Sequence, residues 1–197
     1  GLKGTNFFRT AYFAPVVTSM VVVSIVWTFL YHKDIGLINE FLNSVSFGLI
    51  DKINWLGDPA WSMPAIVIMS AWQGAGYQML IFLAGLQNIS EDLYEAASLD
   101  GANSWQKFVN VTLPGLRNTT IFVIISTTIA AFGLFTQVDV MTSGGPADST
   151  TTVMYHAVRK GFREQDIGYG STISVVYFLV ILAIAMGQKY YFDKREK

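Results

Sequence analysis

The sequence predicts an all-α polytopic membrane protein with about four transmembrane helices in this chain. Of its 197 residues, 52% are hydrophobic and only 14% are charged, against roughly 25% charged residues in an ordinary soluble domain. Buried helices of a soluble protein normally keep a polar stripe. Four stretches instead carry no charge, and each is longer than the roughly 20 residues that a helix needs to cross a bilayer: residues 10–32, 59–90, 118–138 and 167–188.

The first two spans are predicted at residues 11–31 and 61–84. Pro15 falls in the opening turns of the first span and Pro59 opens the second, where a missing N–H is tolerated. Between these spans, residues 39–50 carry apolar side chains on one helical face, which predicts a short helix. The sequence leaves open whether that helix lies on the outer membrane surface or packs on other spans.

The third and fourth spans are predicted at residues 119–139 and 169–188. The loop between them begins with Gly144, Gly145 and Pro146, a run that predicts a turn. Half-apolar aromatic rings favour the headgroup layer, and such rings lie near the span ends: Trp27, Tyr31, Trp55, Trp61, Tyr190 and Tyr191.

The basic residues predict the orientation of these spans. With four spans, the N-terminus, the loop between the second and third spans and the C-terminus share one side of the membrane. Eight basic residues fall on that side and five on the other. Because cytoplasmic loops carry the excess of Lys and Arg, we expect the loop between the second and third spans to be cytoplasmic.

That loop, residues 89–117, predicts two short helices separated by a bend. Ser90 can cap the first helix, and the two carboxylates that follow it favour the positive end of the helix dipole. The first helix should end near Asp100, with Gly101 as the left-handed residue beyond it. Asn103 or Ser104 can cap the second helix, and Pro114 should end it.

The same loop carries a spaced motif. It reads Glu-Ala-Ala, three residues, glycine, nine residues, an aliphatic residue, one more residue and then Leu-Pro; the positions are Glu95, Ala96, Ala97, Gly101, Val111, Leu113 and Pro114. This spacing resembles the cytoplasmic loop of the membrane subunits, or permeases, of binding-protein-dependent ABC importers. Residues 34–39, 53–59 and 142–146 further resemble sugar-type permeases similar to the larger membrane subunit of the maltose importer.

The resemblance implies that residues 89–117 are a coupling loop, seated in a groove of a separate cytoplasmic ATP-binding ABC subunit. It also implies a second permease subunit, an extracytoplasmic solute-binding protein, and a multi-pass location in the prokaryotic inner membrane. Residues 1–197 would then be a single transmembrane permease domain, with further spans ahead of it in a longer polypeptide. The implied ATPase-coupling residues are Glu95, Ala96, Ala97, Gly101, Leu113 and Pro114.

The chemistry that the sequence lacks argues against an enzyme and against a bound cofactor. No phosphate-binding Gly-x-x-x-x-Gly-Lys-Ser/Thr loop occurs, so we expect ATP hydrolysis on a partner subunit. With no cysteine and two histidines, thiolate sites and multi-histidine metal sites are excluded. A net charge of −1 offers no basic surface for nucleic acid.

Few polar residues occur inside the spans. In the family, the second and third spans line the sugar path, which makes Gln73, Gly74, Tyr77 and Gln137 the candidate path residues. The alternative is that glutamines hydrogen-bond between helices and glycines allow close packing.

Two other functional classes remain beside an ATP-driven importer of a sugar or oligosaccharide. A secondary transporter would need an ionisable residue at mid-membrane, and the candidate, Asp139, falls at the outer end of the third span. A structural membrane subunit of another complex would account for the spans but not for the motif.

Overall fold

The computed structural model describes residues 4–194. Three of the counted basic residues, Lys3, Arg195 and Lys197, lie outside this range. Two described helices are each long and apolar enough to cross a membrane, and two bent helix pairs each add a further candidate span. The described residues therefore supply up to four spans, the number that the sequence predicts. The second bent pair is Ser104–Gly115 and Arg117–Phe132, bent by 59°, so it begins within the predicted loop and ends before residue 139.

The first span is not one straight helix. It consists of α1 (Thr5–Val17) and α2 (Met20–Leu30), which are bent by 101° relative to each other. Pro15 lies in the last turn of α1, so its expected place in the opening turns was wrong. Thr18 leaves the helix in an extended conformation, and its Oγ1 donates to the Ala14 carbonyl at 3.0 Å.

The short helix of the first loop is α3 (Leu37–Val45). Asn39 fixes it: the buried amide donates to the carbonyls of Lys33 and Ile53 and accepts from the Trp55 indole at 3.0 Å. Ile38 and Leu42 pack on the core, whereas Leu37, Phe41 and Val45 are exposed. α3 thus packs on the spans and also leaves one apolar face uncovered.

The second span is the single helix α4 (Pro59–Gln87). Asp58 caps it by accepting from the Ala60 N–H, and Pro59 opens it as predicted. Ala65, Ile66 and Met69 on this helix are fully buried. They pack in a core cluster with residues from α2 and from the loops, including Tyr31, whose hydroxyl donates to the Ala65 carbonyl at 2.9 Å.

The following segment is α5 (Glu91–Leu99), α6 (Ser104–Lys107), a π-helical turn (Phe108–Thr112), α7 (Leu113–Gly115) and α8 (Arg117–Phe132). Within the predicted third span, helix α8 ends at Phe132 and a separate short helix, α9 (Thr136–Met141), follows. The last elements are α10 (Val153–Val158), a second π-helical turn (Arg159–Arg163) and α11 (Ile167–Lys194).

Contacts at the helix ends define two opposite ends of the molecule. At one end, the Ser62 hydroxyl near the start of α4 is 2.9 Å from that of Ser149 in the loop after α9. At the other end, a Cβ added to Gly85 would lie 2.4 Å from Thr119 Oγ1, so α4 and α8 approach closely beside α5. The Arg117 guanidinium there donates to the Phe192 carbonyl of α11.

Candidate functional site

The first arm of the loop between α4 and α8 begins as the sequence predicts. The Ser90 hydroxyl accepts from the Asp92 N–H at 3.3 Å, which satisfies one of the free donors at the start of α5. Glu91 and Asp92 occupy the first turn of α5, where carboxylates favour the positive end of the helix dipole.

The bend is a Schellman motif at Gly101. The Gly101 N–H donates to the Ser98 carbonyl at 3.1 Å, and the Ala102 N–H donates to the Ala97 carbonyl at 2.9 Å. Gly101 has φ of +78°, as expected, and a Cβ placed there would meet no atom within 4 Å. Glycine is therefore favoured at this position by its backbone conformation and not by crowding.

The second arm begins at Asn103, which forms a capping box with Gln106: each side chain bonds the other residue's N–H, at 2.9 and 2.8 Å. Pro114 was expected to end the helix, and this was wrong. The chain instead continues from α6 through the π-helical turn into α7, whose first turn holds Pro114 and needs no N–H at that position.

The predicted coupling residues lie along this loop. Glu95 and Ala96 are exposed on α5, Ala97 is half-buried, and Leu113 and Pro114 are exposed on α7. Sequence reasoning missed the large apolar side chains of the same loop: Leu99 is 90% exposed and Trp105 is 70% exposed. The sequence alone could have identified these residues, because large apolar residues in an otherwise polar loop indicate a surface that a partner covers.

A groove runs along one face of α8, with a volume of about 620 Å³. Its lining is mainly apolar, and two hydroxyls, Thr127 and Thr128, supply its polar groups. The Gln78 amide of α4 donates to Thr127 at 2.8 Å and the Gln188 amide of α11 donates to Thr128 at 3.1 Å. The six lining residues are Val123, Ile124, Thr127, Thr128, Ala131 and Phe132.

The four candidate path residues divide into two pairs. Tyr77 is 52% exposed, and a Cβ added to Gly74 would meet no atom within 4 Å, so both face open space. The Gln73 amide donates to the Pro15 carbonyl at 3.3 Å. Gln137 is buried, and its amide donates to the Ser70 hydroxyl at 3.4 Å. The two glutamines therefore make the interhelical bonds that the sequence left as an alternative.

A charged cluster lies at the opposite end, beside α9 and α10. Arg163 pairs with Asp139 and donates to the Tyr155 hydroxyl, which itself donates to the Ser143 carbonyl at 2.8 Å. A hydrogen bond from Lys160 lowers the pKa of Glu164, so this carboxylate is ionised at neutral pH. Within residues 4–194, no group of three or more His, Cys, Asp or Glu side chains is placed to hold a metal ion.

An all-helical membrane subunit with a capped, exposed two-armed loop between two spans is the architecture of a transport-system membrane component. The chain belongs to the family described as binding-protein-dependent transport system inner membrane component, which it matches over residues 3–197.

Individual relatives agree with this assignment. The chain is 37% identical to the lactose transport system permease protein of Rhizobium radiobacter, over 96% of this chain and 64% of that protein. It is 35% identical to the trehalose/maltose transport system permease protein of Thermococcus litoralis, over 94% of this chain and 61% of that protein. The chain thus spans less than two thirds of the length of these relatives.

The fold matches that of a bacterial ABC transporter involved in the import of the acidic polysaccharide alginate. The TM-score is 0.86 at 21% identity, and the match covers 100% of this chain and 68% of that chain.

Proposed function

We propose that this chain is the membrane-spanning permease part of an ATP-driven importer for a sugar or oligosaccharide, in the prokaryotic inner membrane. The observation that carries the proposal is the loop between α4 and α8. Its motif, Schellman bend and capping box build a preformed structure that presents Leu99 and Trp105 to a partner. Hydrolysis of ATP takes place on that partner, a cytoplasmic ABC subunit.

The substrate class is supported by the names of relatives. Relatives are named as permeases for lactose, arabinooligosaccharides and trehalose/maltose, and also for sn-glycerol-3-phosphate. A related solved complex holds a periplasmic protein bound to an alginate pentasaccharide. We extend this to our chain as a solute-binding protein on the outer side and a second permease subunit beside it.

The path itself is proposed to run along the α8 groove and the exposed face of α4 at Tyr77. An aromatic ring offers a sugar an apolar face, and the Thr127 hydroxyl of the groove, which accepts from Gln78, can still donate to a sugar oxygen. Tyr77 is half-exposed and Gly74 faces open space, so both are accessible to a solute in transit.

Purification from native membranes tests the functional class. The full-length protein, tagged and extracted in mild detergent, is expected to bring down an ATP-hydrolysing subunit. In reconstituted vesicles, uptake of the cognate sugar should require ATP. Uptake driven by an ion gradient with no ATPase present would identify a secondary transporter. A stable complex that neither transports nor hydrolyses ATP would identify a structural subunit.

The path is tested by Tyr77→Ala, with Tyr190→Ala on α11 as the matched control because it removes a similarly exposed ring. Tyr77→Ala should slow sugar uptake while complex assembly and basal ATP hydrolysis stay normal. Equal uptake by both variants would indicate that Tyr77 packs against other helices or faces lipid and does not contact the sugar.

A further inference from the structure

Four contacts within the described residues join the two arms of the loop between α4 and α8 and the ends of the spans that carry them. From one pair to the next, the first residue moves forward along the chain and the second moves back, as in an antiparallel hairpin. The four contacts therefore follow one another from the spans to the tip of the loop. The pairs are Gly85–Thr119, Ile89–Gly115, Tyr94–Thr112 and Ser98–Lys107.

The two ties nearest the spans are close backbone approaches. A Cβ added to Gly85 would lie 2.4 Å from Thr119 Oγ1, and one added to Gly115 would lie 2.8 Å from Ile89 Cδ1. Real Cβ atoms do not tolerate such distances, so at both levels one arm packs directly against the backbone of the other.

The two ties nearer the tip are hydrogen bonds. The Tyr94 hydroxyl of α5 is 2.9 Å from the Thr112 hydroxyl. The Lys107 ammonium donates to the Ser98 hydroxyl at 2.6 Å, and that hydroxyl donates to the Tyr94 carbonyl. Steric contacts therefore hold the two arms together near the spans, and hydrogen bonds hold them together near the bend.

The bond between Tyr94 and Thr112 lies at the irregular segment of the second arm. Thr112 is the last residue of the π-helical turn Phe108–Thr112, and a π-helical turn inside a helix is a place where hydrogen bonding is irregular and bending is easy. The first arm, α5, is an ordinary α-helix at this height. The bond from Tyr94 therefore braces the irregular arm against the regular one.

We propose that Tyr94 and Thr112 are positioning residues of this hairpin, and that the bond between them keeps the π-helical turn of the second arm from bending independently of α5. A displacement applied at the tip then reaches the ends of α4 and α8 together, because neither arm can bend alone. This proposal rests on the proposed function, since the displacement comes from the partner ATPase.

A disulfide lock tests rigidity directly, and the chain contains no cysteine of its own. In Ile89→Cys/Gly115→Cys the new Cβ at position 115 would lie 2.9 and 3.5 Å from the two γ positions of Ile89. The sulfur introduced at position 89 would occupy one of these positions, and in a disulfide each Cβ lies about 3 Å from the partner sulfur. The locked complex should transport at the rate of the same double variant kept reduced. Transport that is lost on oxidation and restored by reductant would overturn the proposal, because the arms would then have to separate.

The brace is tested by Tyr94→Phe and Thr112→Val, which each delete one hydroxyl, with Thr112→Ser as the control that keeps it. Sugar transported per ATP hydrolysed should fall by about three- to tenfold in both deletions, the loss expected for one hydrogen bond, and remain normal in Thr112→Ser. The double deletion should be no worse than either alone, because both remove the same bond.

Unfolding temperature and ATPase retention are measured on the same samples, since a merely structural role would change these and leave the transport ratio of the assembled complex intact. A normal ratio in both deletions would overturn the brace while leaving the importer function standing. If the purified wild-type complex contained no ATPase, both the brace and the importer function would be contradicted.

Discussion

Gly101 is the residue whose conformation most constrains the candidate coupling loop. Its φ of +78° places it in the left-handed region, where a residue with a Cβ is disfavoured by about 1 to 2 kcal/mol. Gly101→Val should therefore distort the bend and reduce ATPase retention and sugar uptake together, with normal membrane insertion.

Gly101→Asn is the matched control for that change. Asparagine tolerates the left-handed conformation, and no atom within 4 Å obstructs its side chain. It should keep most of the activity. Equal losses in the valine and asparagine variants would show that bulk against the partner matters and that backbone strain does not.

Trp105 and Glu95 allow an apolar and a charged contact on the same loop to be compared. Trp105→Ala should weaken ATPase docking strongly, because burying a large apolar side chain is worth roughly 1.5 to 3 kcal/mol. Glu95→Ala should be milder, since an exposed ion pair is usually worth under about 1 kcal/mol. ATPase retained through purification measures both effects, and a larger loss in Glu95→Ala would contradict the expectation that the apolar contact of Trp105 contributes more than the charged one.

Among the helices, the bend between α1 and α2 depends on polar bonds that satisfy its free carbonyls. Gln73 donates to the Pro15 carbonyl, and without it that carbonyl would face apolar surroundings, at a cost of about 1 to 3 kcal/mol. Gln73→Leu should lower the unfolding temperature in detergent.

Gln87→Leu, the same change at the exposed end of α4, is the control for the bend and should leave the unfolding temperature unchanged. A direct role of Gln73 in the sugar path would instead appear as slower uptake with normal stability. The two measurements therefore separate the packing role that the bond supports from the path role that the family resemblance implies.

For the molecule as a whole, the cysteine-free chain allows its orientation to be measured. Asp51 in the first loop and Ser104 at the start of α6 are both exposed and lie at opposite ends of the spans. A membrane-impermeant maleimide should label Asp51→Cys in intact cells and label Ser104→Cys only after permeabilisation. Labelling of both from outside would contradict the four-span arrangement.

The local signals of the sequence determined much of this molecule. The charge-free stretches located the membrane-spanning segments, because a charge in lipid is costly wherever the helix sits. Ser90, Gly101 and Asn103 determined the caps and the bend of the loop, because these residues act on backbone groups within a few positions.

The tertiary structure decided what depends on distant partners. The 101° bend of the first span is stabilised partly by Gln73, 58 positions away, and no local pattern identifies that acceptor. The second arm continues past Pro114 through a π-helical turn whose last residue meets Tyr94 on the other arm. Sequence periodicity reports which residues share a face of one helix, whereas bends and braces are fixed by the free energy of contacts between helices.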